Sequence, residues 1–133
     1  MKKLLLVLLL MCSLTAFTQK QQIIKDYYSA INISSEGIKG EWTEVNTRII
    51  FNYGNQNNKV KVYLGNNPNN PNNPYSLTQL GVTTRGITRS GFGYAELILE
   101  DHLGERMYMQ IFDDEEFGVR FIFKDSSIIQ ITN

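Results

Sequence analysis

The sequence predicts an all-β fold of seven or eight antiparallel strands, rolled into a small barrel or packed as two layers. Apolar and polar residues alternate through four successive runs between residues 94 and 132. A second alternating segment, residues 45–64, changes parity across a polar loop. The face that these runs share is rich in aromatic residues, so the strands must bury it against one another rather than leave it in water.

The four runs of residues 94–132 predict an antiparallel meander with one buried face. Side chains alternate between the two faces of a strand, so period two maintained through three turns keeps the odd-numbered residues on one side. A slip of one residue would send a whole apolar set into water, which specifies the register. The predicted inner pairs are Leu99 with Met107, Leu97 with Met109, Ala95 with Ile111, Ile111 with Val119, Met109 with Phe121, Phe123 with Ile129, and Phe121 with Ile131.

Residues 45–64 predict a β-hairpin that presents its apolar residues to the same core. Odd positions are apolar up to Phe51, and even positions are apolar from Val60 onward. A four-residue loop at 54–57 places Phe51 opposite Val60 and Ile49 opposite Val62, which explains the change of parity.

Residues 23–34 are predicted as a further strand, with Tyr27, Ser29, Ile31 and Ile33 on one face. A short helix through residues 24–31 is the alternative. In either case the small polar residues and the glycine that follow are typical of a turn that ends the element.

Residues 66–93 contain the least regular part of the chain. Residues 66–74 read NNPNNPNNP, which predicts a flexible, hydrated loop at a hairpin tip, since proline removes a backbone donor. Residues 75–80 predict a strand. Residues 81–93 hold four glycines, which favours a loop or a bulged edge.

The N-terminus predicts a signal peptide over residues 1–18, because Lys2 and Lys3 precede an apolar run of about ten residues. Cleavage after Thr18 would leave a single β domain, residues 19–133, in a secreted or periplasmic location without its one cysteine, Cys12. The mature chain would carry 13 − 2 = 11 basic residues against 13 acidic. This near-neutral charge without a basic cluster argues against nucleic acid as a partner, and no later apolar run has the length of a membrane span.

The outer face of the meander carries a second set of apolar residues. The predicted register aligns Ile98, Tyr108 and Ile122 across three strands and pairs Tyr94 with Phe112. A contiguous exposed row of this kind marks a partner or ligand surface, unless the N-terminal segment or a loop covers it.

Candidate chemistry is sparse. Arg85 and Arg89, close to glycines, are candidates for an anion pocket, and together with Glu96 and Glu100 they are the basis for an enzyme hypothesis.

His102 is the only histidine, so the parts for a zinc or nucleophile–base site are missing. Residues 113–116 are acidic and are interpreted as a charged hairpin tip rather than a calcium site. No cofactor is expected.

Gly40-Glu41-Trp42 resembles the Gly-x-Trp motif of the lipocalins and related calycins. That resemblance implies a barrel that carries small apolar ligands. The whole chain also resembles small secreted β-proteins of Bacteroidetes, through Trp42, the 45–64 hairpin, Tyr75 and the D-x-x-G turn at residues 101–104; this implies a small β fold and no particular activity.

These observations favour a non-enzymatic binding or interaction module, whose partner is a protein or a small apolar ligand. A lipocalin-like carrier is the alternative, and a hydrolase-type enzyme is the third hypothesis. The predicted core aromatics are Trp42, Phe51, Phe121 and Phe123.

Overall fold

The computed structural model describes residues 21–65 and 73–133. The predicted signal peptide and most of the predicted Asn/Pro loop lie outside the described residues. Among the described residues, no helix is long or apolar enough to cross a membrane. The strands are β1 (Ile23–Ile33), β2 (Thr43–Phe51), β3 (Lys59–Leu64), β4 (Tyr75–Ile87), β5 (Gly93–Glu100), β6 (Arg106–Phe112), β7 (Val119–Ile122) and β8 (Ile128–Thr132), with 3₁₀ turns at Tyr53–Asn55 and Glu115–Phe117.

The eight strands form a closed antiparallel barrel in which each strand pairs with its neighbours in sequence. The barrel closes where β1 pairs with β8, from Ser29 opposite Thr132 to Ile33 opposite Ile128. The predicted all-β fold is confirmed, and of the two predicted architectures the chain adopts the barrel. Closure leaves no edge among these eight described strands, because each has two hydrogen-bonded neighbours.

The predicted register holds for most of the meander and for the first hairpin. Leu97 lies opposite Met109, Met109 opposite Phe121, and Phe51 opposite Val60. The predicted register of the last hairpin, β7–β8, was wrong by two residues, because Phe121 pairs with Ile129 instead of Ile131.

The cause of this error is a tight β7–β8 turn. Phe123 N–H donates to the Ser127 carbonyl at 2.9 Å, and Ser126 adopts a φ of 70°. This left-handed residue shortens the turn relative to the predicted one. A two-residue shift preserves parity, so the inner face stays apolar.

Two strands depart from their predicted form. β1 is a strand and not a helix, but its register shifts between Tyr27 and Ser29. Beyond this bulge Ala30 joins Tyr27 on the core side, and Ile31 and Ile33 lie on the outer face, where Ile31 is nevertheless buried. β4 continues through the glycine-containing segment to Ile87, with a register shift between Leu80 and Thr84.

Side chains from all eight strands fill the barrel interior. Ile49, Leu99, Met109 and Val119 have no exposed surface. The buried members of this single cluster are Tyr27, Ile49, Phe51, Val60, Val62, Leu77, Leu97, Leu99, Met109, Val119, Phe121 and Ile131.

The predicted core aromatics are mostly confirmed. Phe51 and Phe121 are buried, and Phe123 packs against the cluster while partly exposed. The prediction that Trp42 lies in the core was wrong, because this tryptophan is 54% exposed. Trp42 precedes the first residue of β2 and so lies outside the barrel's paired region.

Candidate binding surface

Six apolar side chains on the outside of the barrel form a continuous row across six strands. Cross-strand pairing places Leu80 beside Ile98, Ile98 beside Tyr108 and Tyr108 beside Ile122. The row continues from Ile122 to Ile128 and from Ile128 to Ile33. The outer row is defined here as Leu80, Ile98, Tyr108, Ile122, Ile128 and Ile33.

The middle of the outer row is open to solvent. Ile98 is 38% exposed and Tyr108 is 47% exposed, whereas Leu80, Ile122, Ile128 and Ile33 are half-buried. The sequence alone predicted three members of the row, Ile98, Tyr108 and Ile122. Ile33 was missed because the β1 bulge reverses the face of every residue after it, and the sequence around Tyr28 contains no glycine to signal the bulge.

Polar side chains border the outer row on both sides. Toward the β5–β6 turn, Arg106 Nε lies 3.2 Å from Glu100 Oε2. Toward the β6–β7 turn, Gln110 donates to Glu96 at 2.8 Å and Arg120 donates to Gln130 at 3.2 Å. An apolar centre with a hydrogen-bonded polar border is the usual composition of a protein interface.

Tyr94 and Phe112, also predicted for this surface, belong to a separate aromatic cluster. Their rings lie 5.8 Å apart, and Phe117 lies 6.0 Å from Phe112 and 4.3 Å from Phe92. The Arg120 guanidinium lies 5.0 Å from the Phe112 ring centre. These neighbours leave Phe112 only 6% exposed, so it contributes to stability rather than to an accessible surface.

A shallow recess of about 430 Å³ adjoins the end of the outer row where β1 meets β8. Ile33 and Ile128 of the row line it, together with Ile38, Phe123 and Ile129. Ile38 is itself exposed, so the recess extends the apolar surface around the end of the barrel.

The residues of the anion-pocket and enzyme hypotheses bind separate neighbours. Arg85 forms a two-pronged ion pair with Asp113, and this hydrogen bond lowers the pKa of the Asp113 carboxyl. One of the two pocket cations is therefore already paired, while Arg89 lies in the β4–β5 turn. Glu96 accepts from Gln110 and Glu100 from Arg106, so each acidic candidate has a partner of its own.

Arg85 and Glu96 also lie on opposite faces of the sheet. Arg85 is opposite Ala95, whereas Glu96 is opposite Thr84, and neighbouring residues along a strand point to opposite sides. Within residues 21–65 and 73–133, no three His, Cys, Asp or Glu side chains come together as a metal site.

Comparison of the chain with protein-family models, curated proteins and solved structures gave no match.

Proposed function

We propose that this protein is a non-enzymatic interaction module of the secreted or periplasmic compartment that binds a protein partner through its outer row. The single observation that carries the proposal is the continuous row, with its exposed centre at Ile98 and Tyr108. The N-terminal pattern of two lysines and an apolar run supports the location.

The filled interior supports a surface mode of binding. The side chains that point into the barrel pack as one cluster, and Leu99 and Met109 at its centre have no exposed surface. A carrier barrel keeps that space open for its ligand. The outside of this barrel, where the neighbouring side chains of Ile98 and Tyr108 face water within one apolar row, therefore offers the better site.

A carrier of a small apolar ligand is the second candidate, and the recess beside the row favours it. Its walls include Ile33, Ile38, Phe123 and Ile128, which are the kind of side chains that enclose an apolar molecule. On this hypothesis the ligand lies at the barrel's end instead of in its interior.

Native mass spectrometry of the protein recovered from its own host tests both candidates. Expressed from Met1, so that processing follows its normal course, the wild-type chain is expected to carry a second polypeptide. Tyr108→Asp is expected to lose that polypeptide. Tyr28→Asp is the matched control, because Tyr28 is also an exposed tyrosine, at 55%, three strands away from β6.

The outcomes separate the hypotheses. A second polypeptide that is lost with Tyr108→Asp and retained with Tyr28→Asp supports the proposal. A retained small apolar molecule, insensitive to Tyr108→Asp, supports the carrier instead. Recovery of the wild-type chain as a monomer, with neither a second polypeptide nor a small molecule, contradicts both. Circular dichroism melting of each variant separates loss of binding from loss of folding.

A further inference from the structure

We infer that the partner on the outer row is a second copy of this chain, held by a two-fold axis that runs along β6. This inference rests on the proposed function and names its partner. It follows from the charges that border the row, which complement themselves.

The border of the outer row is acidic on β5 and basic at β7. Glu96 and Glu100 are the outward residues on either side of Ile98. Arg120 is the outward residue next to Ile122 on one side, and Lys124 follows β7 on the other side and is exposed. Tyr108 lies between the two strands, beside Ile98 and Ile122.

A two-fold axis along β6, lying between two facing barrels, would place β5 of each copy over β7 of the other. Tyr108 then meets Tyr108 of the second copy, and Ile98 meets its Ile122. Glu96 faces the second copy's Arg120, and Glu100 faces its Lys124. Every contact away from the axis is made twice, as a symmetric dimer requires.

The curvature of the barrel limits the contact to these three strands. Neighbouring strands lie about 4.8 Å apart, so β5 and β7 are separated by roughly 10 Å. A convex surface that touches its copy along β6 brings both flanking strands within reach of long charged side chains. The border charges lie two residues along the strand from the row, roughly 7 Å away.

The other face-to-face two-fold arrangement is unfavourable. An axis along the row, perpendicular to the strands, would place each strand over its own copy. Glu96 would then face the second copy's Glu100, and Arg120 would face its Lys124. Like charges across an interface are unfavourable and exclude wrong orientations, so the charge pattern selects the axis along β6.

In the selected dimer, Arg106 on β6 would face Arg106 of the second copy. Its guanidinium is held by Glu100 of the same chain at 3.2 Å, which draws it toward β5 and away from the axis. Tyr108 is left as the side chain at the centre of the contact, the position where interface tyrosines contribute most to affinity.

Sedimentation equilibrium of the full chain, expressed from Met1, tests the inference. The wild-type protein is expected to self-associate reversibly as a dimer. Tyr108→Asp removes the central side chain from both copies and is expected to weaken the dimer by at least about 100-fold. Tyr28→Asp, the matched control on β1, is expected to leave the dimerisation constant unchanged.

A mixing experiment at low salt tests the axis, with circular dichroism of each variant to show that both are folded. Glu100→Lys alone faces Lys124, and Lys124→Glu alone faces Glu100, so each is expected to weaken its own dimer about tenfold. An equimolar mixture restores both contacts, because the new lysine faces the new glutamate while Glu100 faces Lys124. A mixture that binds more tightly than either component supports the axis along β6; full wild-type affinity is not expected, because the Glu100→Lys chain still lacks its own ion pair between Glu100 and Arg106.

A wild-type chain that stays monomeric, a dimer insensitive to Tyr108→Asp, or a mixture no tighter than its components would each overturn the inference. The proposed function fails separately. A monomeric chain that still recovers a different polypeptide through Tyr108 keeps the outer row as a binding surface and removes only the second copy as its occupant.

Discussion

The ring of Tyr94 lies directly against the backbone of Gly86, its partner on the neighbouring strand β4. A Cβ atom at residue 86 would lie 2.5 Å from the Tyr94 ring, closer than any side chain tolerates. The missing side chain is therefore what lets Tyr94 reach across β4, while its ring also packs 5.8 Å from Phe112. An aromatic ring covering a strand glycine in this way compensates for the packing that glycine lacks.

Gly86→Ala is expected to lower the free energy of unfolding by about 1–3 kcal/mol, because Tyr94 must leave its position. Urea denaturation measures this change. The control is the same substitution in a Tyr94→Ala background, where nothing blocks the new methyl group and the cost should vanish. A cost that persists in that background would place its cause in β4 rather than in the ring.

The alternation of apolar residues is strong enough to predict the barrel's inner face. Leu97, Met109 and Phe121 pair as predicted, because a one-residue slip would expose all three to water. A two-residue slip costs no burial, so the pattern carries no information against it. That is why the β7–β8 register depended on the conformation of Ser126, which the alternation does not report.

The bulge in β1 explains why sequence reasoning missed Ile33 on the outside of the barrel, and the register error in β7–β8 explains why it missed Ile128. The register of β1 against β2 shifts by one residue between Tyr27 and Ser29, with the extra residue on β2, and Ile31 and Ile33 beyond this shift lie on the outer face. The central residues of the outer row were predictable because β5, β6 and β7 are regular. The two ends of the row depend on irregular strands, β1 and β4, and were not.

Both the backbone conformation and the surroundings of residue 118 require a glycine. Its φ is 61°, and a Cβ there would collide with the Ile131 carbonyl oxygen on β8. Gly118→Ala is therefore expected to reduce the free energy of unfolding by roughly 3–5 kcal/mol, combining backbone strain with the clash. Thermal and urea unfolding measure the loss.

Gly104→Ala separates these two causes. Gly104 has a φ of 81° but has open space where a side chain would lie. Its substitution should cost only the left-handed conformation, about 1–2 kcal/mol. Equal losses for the two variants would show that the Ile131 carbonyl moves aside and that conformation alone matters.

Asp113 is expected to titrate below the ordinary range of an aspartate, since Arg85 binds its carboxylate and lowers its pKa. The stabilisation that this pair contributes is present above the unfolded pKa of Asp113 and is lost as the pH falls through its lower folded value. NMR titration of the carboxyl carbon should show the midpoint rise in Arg85→Gln. Arg89→Gln, a cation four residues further along, should leave the midpoint in place; a rise there would mean that Arg89 also binds Asp113.

Tyr27 links the barrel's core to alkaline stability. Its side chain is buried, and this burial, with a smaller contribution from Glu115, raises the pKa of its hydroxyl to about 12. The unfolded chain loses this proton near pH 10, its ordinary value, so unfolding is favoured as the pH rises further. The stabilisation is complete below about pH 10 and is lost between pH 10 and about 12.

The loss is measured by urea unfolding between about pH 9 and 11.5, around the ordinary tyrosine pKa. It is the difference in the free energy of unfolding between the wild type and Tyr27→Phe. A full shift would correspond to nearly 3 kcal/mol, and screening by solvent near Glu115 reduces the expected loss to on the order of 1–2 kcal/mol. Tyr27→Phe should lack this decline, whereas Tyr28→Phe, at the exposed neighbouring position, should keep it. Parallel curves for the wild type and Tyr27→Phe would show that the buried hydroxyl ionises as readily in the folded barrel as in the unfolded chain.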